Sequence, residues 1–338
     1  MNKYLLGTTA LATAGLIAGM AGGASAANQG DNRIKVGVHG YHQQWGVYAD
    51  QDIDSKATPG GASNRFKTNA VDQKHNSEIC FTGETTLDNG ITFGINVQLE
   101  ANTEGDQIDE SYLYVQSDSM GRLILGDENN AGYLLHVTAP DGGISIDSGD
   151  MVSDGFWENL SGFSNFDTTL GTTNLRFGDN DSGKFTYISP RFAGFQLGAS
   201  YIPQFEAGGD DNSSVYKARI AGVNVIDRTR NGVAVGGNFT EDFNGFGVRL
   251  SAGWLGAQTS DEDLSAANAG AQFSFAGFTV GGAYVKAWDG TQSTDATGNE
   301  LRTAEGYGWT AGGTYETGPY KIGITYQYGE NEGIRGSS

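Results

Sequence analysis

The sequence predicts an all-β fold, an antiparallel transmembrane β-barrel, and three observations predict it. Apolar and polar residues alternate strictly along the chain, as in strands whose two faces meet different surroundings. Short turns alternate with long polar connections. The 338 residues include 53 glycines, 17 Phe, 15 Tyr and five prolines. Aromatic side chains favour membrane interfaces, and glycine relieves crowding in a bent and twisted wall.

The first 26 residues predict a cleaved signal peptide. Lys3 supplies a positive start, an apolar run extends from Leu5 to Met20, and Ala24-Ser25-Ala26 fits a small-residue cleavage site. An anchoring helix is the alternative, but the run is shorter than the roughly 20 residues that a membrane span needs. No basic cluster follows it. We therefore expect residues 27–338 to form the exported domain.

Alternation delimits thirteen strands. It is clearest near the end of the chain, where Tyr320 and Ile322 alternate with Lys321 and Gly323. Ten residues at about 3.3 Å each, tilted by about 40°, reach roughly 25 Å, the height of the apolar band of an outer-membrane barrel. The predicted strands span residues 33–47, 76–87, 91–101, 109–118, 122–128, 184–190, 195–205, 232–241, 246–256, 265–275, 278–288, 307–317 and 320–329.

Connections of two lengths alternate between these strands. Short turns such as 88–90 and 242–245 contain Asp, Asn and Gly, which supply the backbone angles of tight hairpins. Long polar stretches such as 48–75 and 206–231 separate the hairpins. A soluble β-sandwich is the alternative, but nothing in that fold would place every long connection at one end. A membrane barrel has this arrangement, because its periplasmic turns are short and its external loops are long.

Composition excludes several classes of protein. The single cysteine, Cys80, cannot form an internal disulfide, and no Cys/His spacing indicates zinc. A formal net charge of −20 argues against a nucleic-acid partner, because binding to phosphate groups requires a basic surface. Of the four histidines, His39 and His42 are three apart on a strand and so lie on opposite faces, and no Gly-x-Ser-x-Gly nucleophile motif is present. We therefore predict a protein that is not an enzyme and has no cofactor.

In a barrel surrounded by lipid, the polar face of each strand lines the lumen. Alternation places six charged residues on that face of the wall: Lys35, Arg122, Arg249, Glu78, Glu84 and Glu100. For each of them, a solvated wall residue with no special role is the alternative.

The long connection 129–173 combines acidic and apolar residues and contains no Lys or Arg. Long loops with their own apolar anchors, here including Phe156, Trp157 and Phe163, are usually packed and functional. We expect the apolar residues to pack against the wall while the acids face basic wall residues across the narrowest point. The acids are Asp141, Asp147, Asp150, Asp154, Glu158 and Asp167.

Clustered carboxylates also offer oxygen ligands for Ca²⁺. The candidates are Asp147 with Asp150 and Asp210 with Asp211. No EF-hand spacing is present, and solvated acids are the favoured interpretation.

Four segments, in this order, resemble the general outer-membrane porins of alphaproteobacteria: 77–83, 87–94, 106–112 and 189–201. The resemblance extends from about residue 32 to the end. It implies a sixteen-stranded, trimeric barrel whose third external loop, here 129–173, folds inward and constricts the pore. Bacterial barrels have an even number of strands, and this family usually ends on an aromatic residue, whereas this chain ends Arg335-Gly336-Ser337-Ser338. We therefore expect about three C-terminal strands to be missing from this sequence.

Together these features predict a water-filled channel in the cell outer membrane, in contact with lipid and lipopolysaccharide, for passive diffusion of small hydrophilic solutes and ions. Loss of Lys3 with the signal peptide takes the formal net charge from −20 to −21, so we expect a preference for cations. A non-conducting barrel that serves as an adhesin or structural anchor is the alternative.

Overall fold

The computed structural model describes residues 34–48, 71–101, 108–142, 147, 172–175, 182–205, 230–258, 263–289, 292–294, 300–302 and 306–331. Within them, thirteen strands form one antiparallel sheet whose order follows the chain. These strands are β1 (Lys35–Tyr48), β2 (Val71–Thr86), β3 (Thr92–Glu100), β4 (Ile108–Ser117), β5 (Gly121–Asp127), β6 (Gly183–Ile188), β7 (Phe195–Gln204), β8 (Arg230–Phe243), β9 (Phe246–Gln258), β10 (Leu264–Phe275), β11 (Phe278–Asp289), β14 (Gly306–Thr317) and β15 (Tyr320–Asn331).

Two small elements complete the described chain. A separate hairpin pairs β12 (Gln292–Thr294) with β13 (Glu300–Arg302). One helical turn, α1 (Ala131–Leu134), follows β5. In the part of the chain that the structure describes, no helix is long and apolar enough to cross a membrane.

The thirteen predicted strands are confirmed, whereas the hairpin and α1 were missed. The hairpin lies in the long polar connection between the predicted strands 278–288 and 307–317. A strand of three residues is too short to show alternation, and one helical turn is too short to show a 3.6-residue period. Alternation therefore finds the strands of the wall and overlooks shorter elements beside it.

The hairpin turns lie where the sequence places them. Between β8 and β9, Asn244 and Gly245 have φ of 57° and 88°. Positive φ at both central residues is typical of the two-residue turn that matches the twist of paired strands. The carboxylate of Asp242 accepts a hydrogen bond from the amide of Gly245 at 2.7 Å.

The two faces of the sheet differ in chemistry. On one face apolar side chains are exposed, among them Phe93 (44%), Leu250 (40%) and Ile324 (80%). Aromatic residues lie towards both ends of the strands on this face, as Phe278 and Trp288 of β11 do. Lipid is the surrounding in which such an apolar face is stable. The sheet is therefore the wall of an antiparallel transmembrane β-barrel, and in its described part β1 and β15 each pair on one side.

The other face carries polar side chains and covers a small buried core. Asn96, Thr186, Ser200, Asn268 and Thr310 are buried there. The apolar core lies where a chain segment packs on the same face. Its residues are Leu175, Ile202, Phe205, Ala234, Leu255, Ala257, Leu264, Ala266, Val285 and Ala287.

Candidate functional site

The segment that follows β5 lies across the polar face of the sheet. We define the inner segment as residues 128–142 with Asp147 and 172–175. The hydroxyl of Ser200 on β7 accepts a hydrogen bond from the amide of Ala131 at 2.8 Å. Farther along, Gln272 on β10 donates to the carbonyl of Thr138 at 2.8 Å, and Thr325 on β15 donates to that of Pro140 at 2.9 Å. The inner segment thus spans the wall from β7 to β15.

Asn130 caps the N-terminus of α1 and joins residues 128–142 of the inner segment to residues 172–175. Its side-chain oxygen accepts a hydrogen bond from the amide of Tyr133 at 3.1 Å, which is the geometry of a helix N-cap. Its amide nitrogen donates to the carbonyl of Leu175 at 2.6 Å. The side chain is 1% exposed, so its polar atoms need these partners.

Glycines on the polar face allow the backbone of the inner segment to approach the wall. A Cβ atom on Gly270 of β10 would lie 1.7 Å from the carbonyl oxygen of Val137. One on Gly236 of β8 would lie 2.6 Å from that of Ala131. Both distances are shorter than any real Cβ contact. These positions therefore require glycine, which explains part of the glycine excess.

Asp147 is 2% exposed and is bound by threonines of the inner segment and the wall. Its carboxylate accepts hydrogen bonds from the amide and hydroxyl of Thr173, from Thr172 at 3.1 Å and from Thr310 of β14 at 2.8 Å. Burial raises the pKa of this carboxyl, while the same donors stabilise the charged form and lower it. Asp147 therefore anchors the inner segment to the wall.

This placement differs from the expectation that Asp147 faces basic wall residues. Its partners among the described residues are hydroxyl and backbone groups. The sequence indicates a charged residue in a loop, whereas the fold brings Asp147 to Thr310 of β14. Asp150, Asp154, Glu158 and Asp167 lie outside the described residues, as do Asp210 and Asp211.

His136 connects the same region to β9. Its Nδ1 lies 3.1 Å from the hydroxyl oxygen of Ser251, and its Nε2 lies 3.0 Å from that of Thr173. Because Thr173 donates to Asp147, it accepts from Nε2–H, and Ser251 then donates to Nδ1. Burial lowers the pKa of His136 to about 4. A neutral imidazole thus completes a hydrogen-bonded chain between loop and wall, which the sequence alone did not reveal.

Two of the predicted residues line one cavity. Asp141, near the end of the first part of the inner segment (residues 128–142), and Arg249 on β9 both border a polar cavity of about 360 Å³. Here the structure brings a loop acid and a basic wall residue together.

The remaining predicted wall residues lie on β1 to β5. Lys35 is directly opposite Glu84, and Tyr114 donates to Glu84 at 3.1 Å. The guanidinium carbon of Arg122 lies 4.2 Å from the centre of the Tyr114 ring. A row of alternating charge therefore crosses this part of the wall, with the Tyr114 ring between its basic and acidic groups.

Glu78 and Glu100 are directly opposite each other on β2 and β3. Together with Asp109 they place one carboxylate oxygen each within 4.8 Å of the others. Oxygen ligands of this kind suit Ca²⁺. Acidic clusters on wet surfaces are common without an ion, so the geometry by itself assigns no metal site.

A family model described as Gram-negative porin matches residues 7–338. Among solved structures, a porin refined at 1.8 Å resolution is similar, with a TM-score of 0.52 and 13% identity over 89% of this chain and 85% of its own. OmpF of Salmonella typhi, in complex with daunomycin, matches with a TM-score of 0.39 and 14% identity over 88% of this chain and 98% of its own. The channel DcaP of Acinetobacter baumannii matches with a TM-score of 0.45 and 11% identity over 88% and 79%. No curated protein sequence matches the chain.

Proposed function

The chain belongs to the Gram-negative porin family, whose members are outer-membrane channels for passive diffusion, and from this premise we propose a cation-preferring pore narrowed by the inner segment. The observation that carries the proposal is the position of the inner segment on the polar face. Hydrogen bonds from Ala131 to β7 and from Thr325 to Pro140 hold it across several strands. A polar face bordering water and an apolar face bordering lipid are what a water-filled barrel requires.

The charge of the chain supports the preference for cations. The formal net charge is −20, and charge inside a low-dielectric wall raises the local concentration of counter-ions. Basic residues such as Lys35 and Arg122 oppose this effect locally. Lys35 faces Glu84 across the strand pair, so its charge is offset by a neighbour. The acids of the long connection would then determine the sign of selectivity.

The proposed narrowing depends on carboxylates of the long connection. Asp141 lines a cavity with Arg249, which supports opposed charges across the pore. For Asp150, Asp154, Glu158 and Asp167 the role in the constriction remains a proposal from the sequence. Such a transverse field would favour dipolar, hydrophilic solutes over apolar ones. We also propose that the protein is a homotrimer surrounded by lipid and lipopolysaccharide. Light scattering of the purified protein would test the trimer.

Recording in planar bilayers tests the channel and its selectivity. The full chain is reconstituted, and the reversal potential is measured in a tenfold KCl gradient. We expect stepwise currents and a reversal potential displaced towards the potassium equilibrium potential. Glu84→Gln should reduce that displacement more than Asp88→Asn, which removes a charge at the exposed turn between β2 and β3. A preference for chloride would contradict cation selectivity, and a silent bilayer would favour a non-conducting anchor.

A further inference from the structure

The polar cavity beside Arg249 lies between the inner segment and the wall. Residues 138–141 form one side of it. Strands β9, β10, β11, β14 and β15 form the other, near their hairpin turns. The wall residues of the cavity are Arg249, Gln272, Ser274, Thr279, Thr314, Glu316 and Lys321. Its volume of about 360 Å³ is in the range of sites for small molecules.

Hydrogen bonds fix residues 138–141, the inner-segment side of the cavity, against the wall. Gln272 donates to the carbonyl of Thr138 at 2.8 Å, and Thr325 donates to that of Pro140 at 2.9 Å. A Cβ on Gly312 would lie 2.3 Å from the carbonyl oxygen of Pro140, so the backbone lies directly on β14. The cavity is therefore bounded by fixed backbone on one side and by paired strands on the other. A ligand would meet a site that is already formed.

The two basic residues of the cavity differ in whether they are paired with a carboxylate. Lys321 forms an ion pair with Glu316 at 3.1 Å. Arg249 donates to the amide oxygen of Gln272 at 3.4 Å, which is a long hydrogen bond. Within the described residues, no carboxylate lies at ion-pair distance from Arg249. One guanidinium of the cavity thus has most of its donors available.

A planar guanidinium binds a carboxylate through two parallel hydrogen bonds, more strongly than it binds a neutral acceptor. Ser274, Thr279 and Thr314 line the same cavity, and their hydroxyl groups can bind further polar atoms of a ligand. Glu316 and Asp141 on the same cavity disfavour a ligand with a second negative charge. The chemistry selects a small monocarboxylate that also carries hydroxyl or amino groups.

We propose that this cavity is a binding site for small hydroxy or amino monocarboxylates, with Arg249 bound to the carboxylate. The proposal deepens the proposed function and rests on it, because it gives the diffusion channel a solute class that it retains briefly. The preference for cations concerns the whole pore, whereas this site is local.

The experiment compares lactate with lactamide, its neutral amide of nearly the same shape. Binding is measured by line broadening of ¹³C-labelled probe with the full chain in detergent micelles. In parallel, the potassium current of the reconstituted protein is recorded as each probe is added. We expect the ¹³C resonance of lactate to broaden in the presence of the protein, and lactate to reduce the potassium current in a saturable manner. Lactamide should have neither effect.

Arg249→Gln tests the proposed contact. We expect it to weaken lactate binding about tenfold, the order of effect of losing one charge-assisted hydrogen bond. Arg230→Gln is the matched control. Arg230 begins β8 and is not among the residues that line the cavity, so this substitution removes the same charge elsewhere in the wall. Far-ultraviolet circular dichroism confirms that each variant is folded.

Three results would overturn the site: equal effects of lactate and lactamide, unchanged lactate binding in Arg249→Gln, or equal losses in both arginine variants. A normal potassium current that lactate does not alter contradicts this site and leaves the channel intact. Absence of current contradicts the channel instead, and the line-broadening measurement still decides whether lactate binds.

Discussion

His136 of the inner segment contacts Ser251 of β9 across 115 residues of chain, with Nδ1 and Oγ 3.1 Å apart. Ser251 also accepts a hydrogen bond from the amide of Val137 at 2.8 Å. One wall hydroxyl therefore binds both the backbone and a side chain of the inner segment. Through Thr173, His136 is further connected to Asp147. The position of the inner segment consequently depends on the protonation of two buried groups.

The pKa of His136 predicts a loss of stability in acid. The unfolded chain takes up a proton near the ordinary pKa of about 6.5, whereas the folded protein does so near 4. Between these values the unfolded state binds more protons, so the free energy of unfolding falls as the pH falls and levels off below about 4. The shift corresponds to about 3 kcal/mol in total. Urea unfolding in micelles between pH 7 and pH 4 measures it.

His136→Gln should remove this part of the pH dependence, with His39→Gln on β1 as the control. Asp147 acts in the opposite direction, because burial raises its pKa and protonation relieves the cost of a buried charge. The difference between the variant and the unaltered protein therefore isolates the histidine. An identical pH dependence in both would contradict the burial of a neutral imidazole.

Asp147→Asn should destabilise the inner segment. An amide accepts fewer hydrogen bonds than a carboxylate, so donors of Thr172, Thr173 and Thr310 lose their acceptor. The expected cost at pH 7 is about 1–3 kcal/mol. Limited proteolysis of the connection 129–173 reports it, with Asp118→Asn at the exposed turn after β4 as the control. Cleavage at the same rate in both variants would show that Asp147 does not hold the segment.

Gly270→Ala should displace the inner segment from the wall. Its Cβ would lie 1.7 Å from the carbonyl oxygen of Val137, which is backbone and cannot rotate away. If the inner segment narrows the pore, single-channel conductance should rise or become noisy. Gly313→Ala on β14 is the matched control, because its nearest neighbour would lie at an ordinary 3.6 Å. Unchanged conductance in Gly270→Ala would separate the inner segment from the constriction.

Ile324→Arg tests the lipid-facing side of β15. Ile324 is 80% exposed and lies midway between Tyr320 and Tyr328. An arginine at the bilayer midplane costs about 2–4 kcal/mol in such barrels. Gln327→Arg, on the opposite face beside Thr310, should cost much less. The free energy of unfolding of the two variants is compared in phospholipid vesicles. Equal losses of stability in both variants would contradict the assignment of the faces.

The wall of this protein could be predicted from the sequence because each strand carries its own signal. Alternation in segments such as Phe246–Trp254 depends on neighbours within the strand, and turns such as Asn244–Gly245 depend on local backbone angles. The register of paired strands follows from short turns. These properties are local, so thirteen strands and their order were predicted with small errors at the ends.

The inner segment depends on contacts between residues far apart in the chain, and these are decided by tertiary structure. Asp147 was expected to face basic residues, yet it binds Thr310 of β14, 163 residues away. His136 and Gly270 showed no distinctive local pattern, although one bridges to the wall and the other permits contact with it. Hydrophobic alternation specifies which face meets lipid. Which polar groups meet inside depends on where each strand lies around the sheet, and no local period encodes that position.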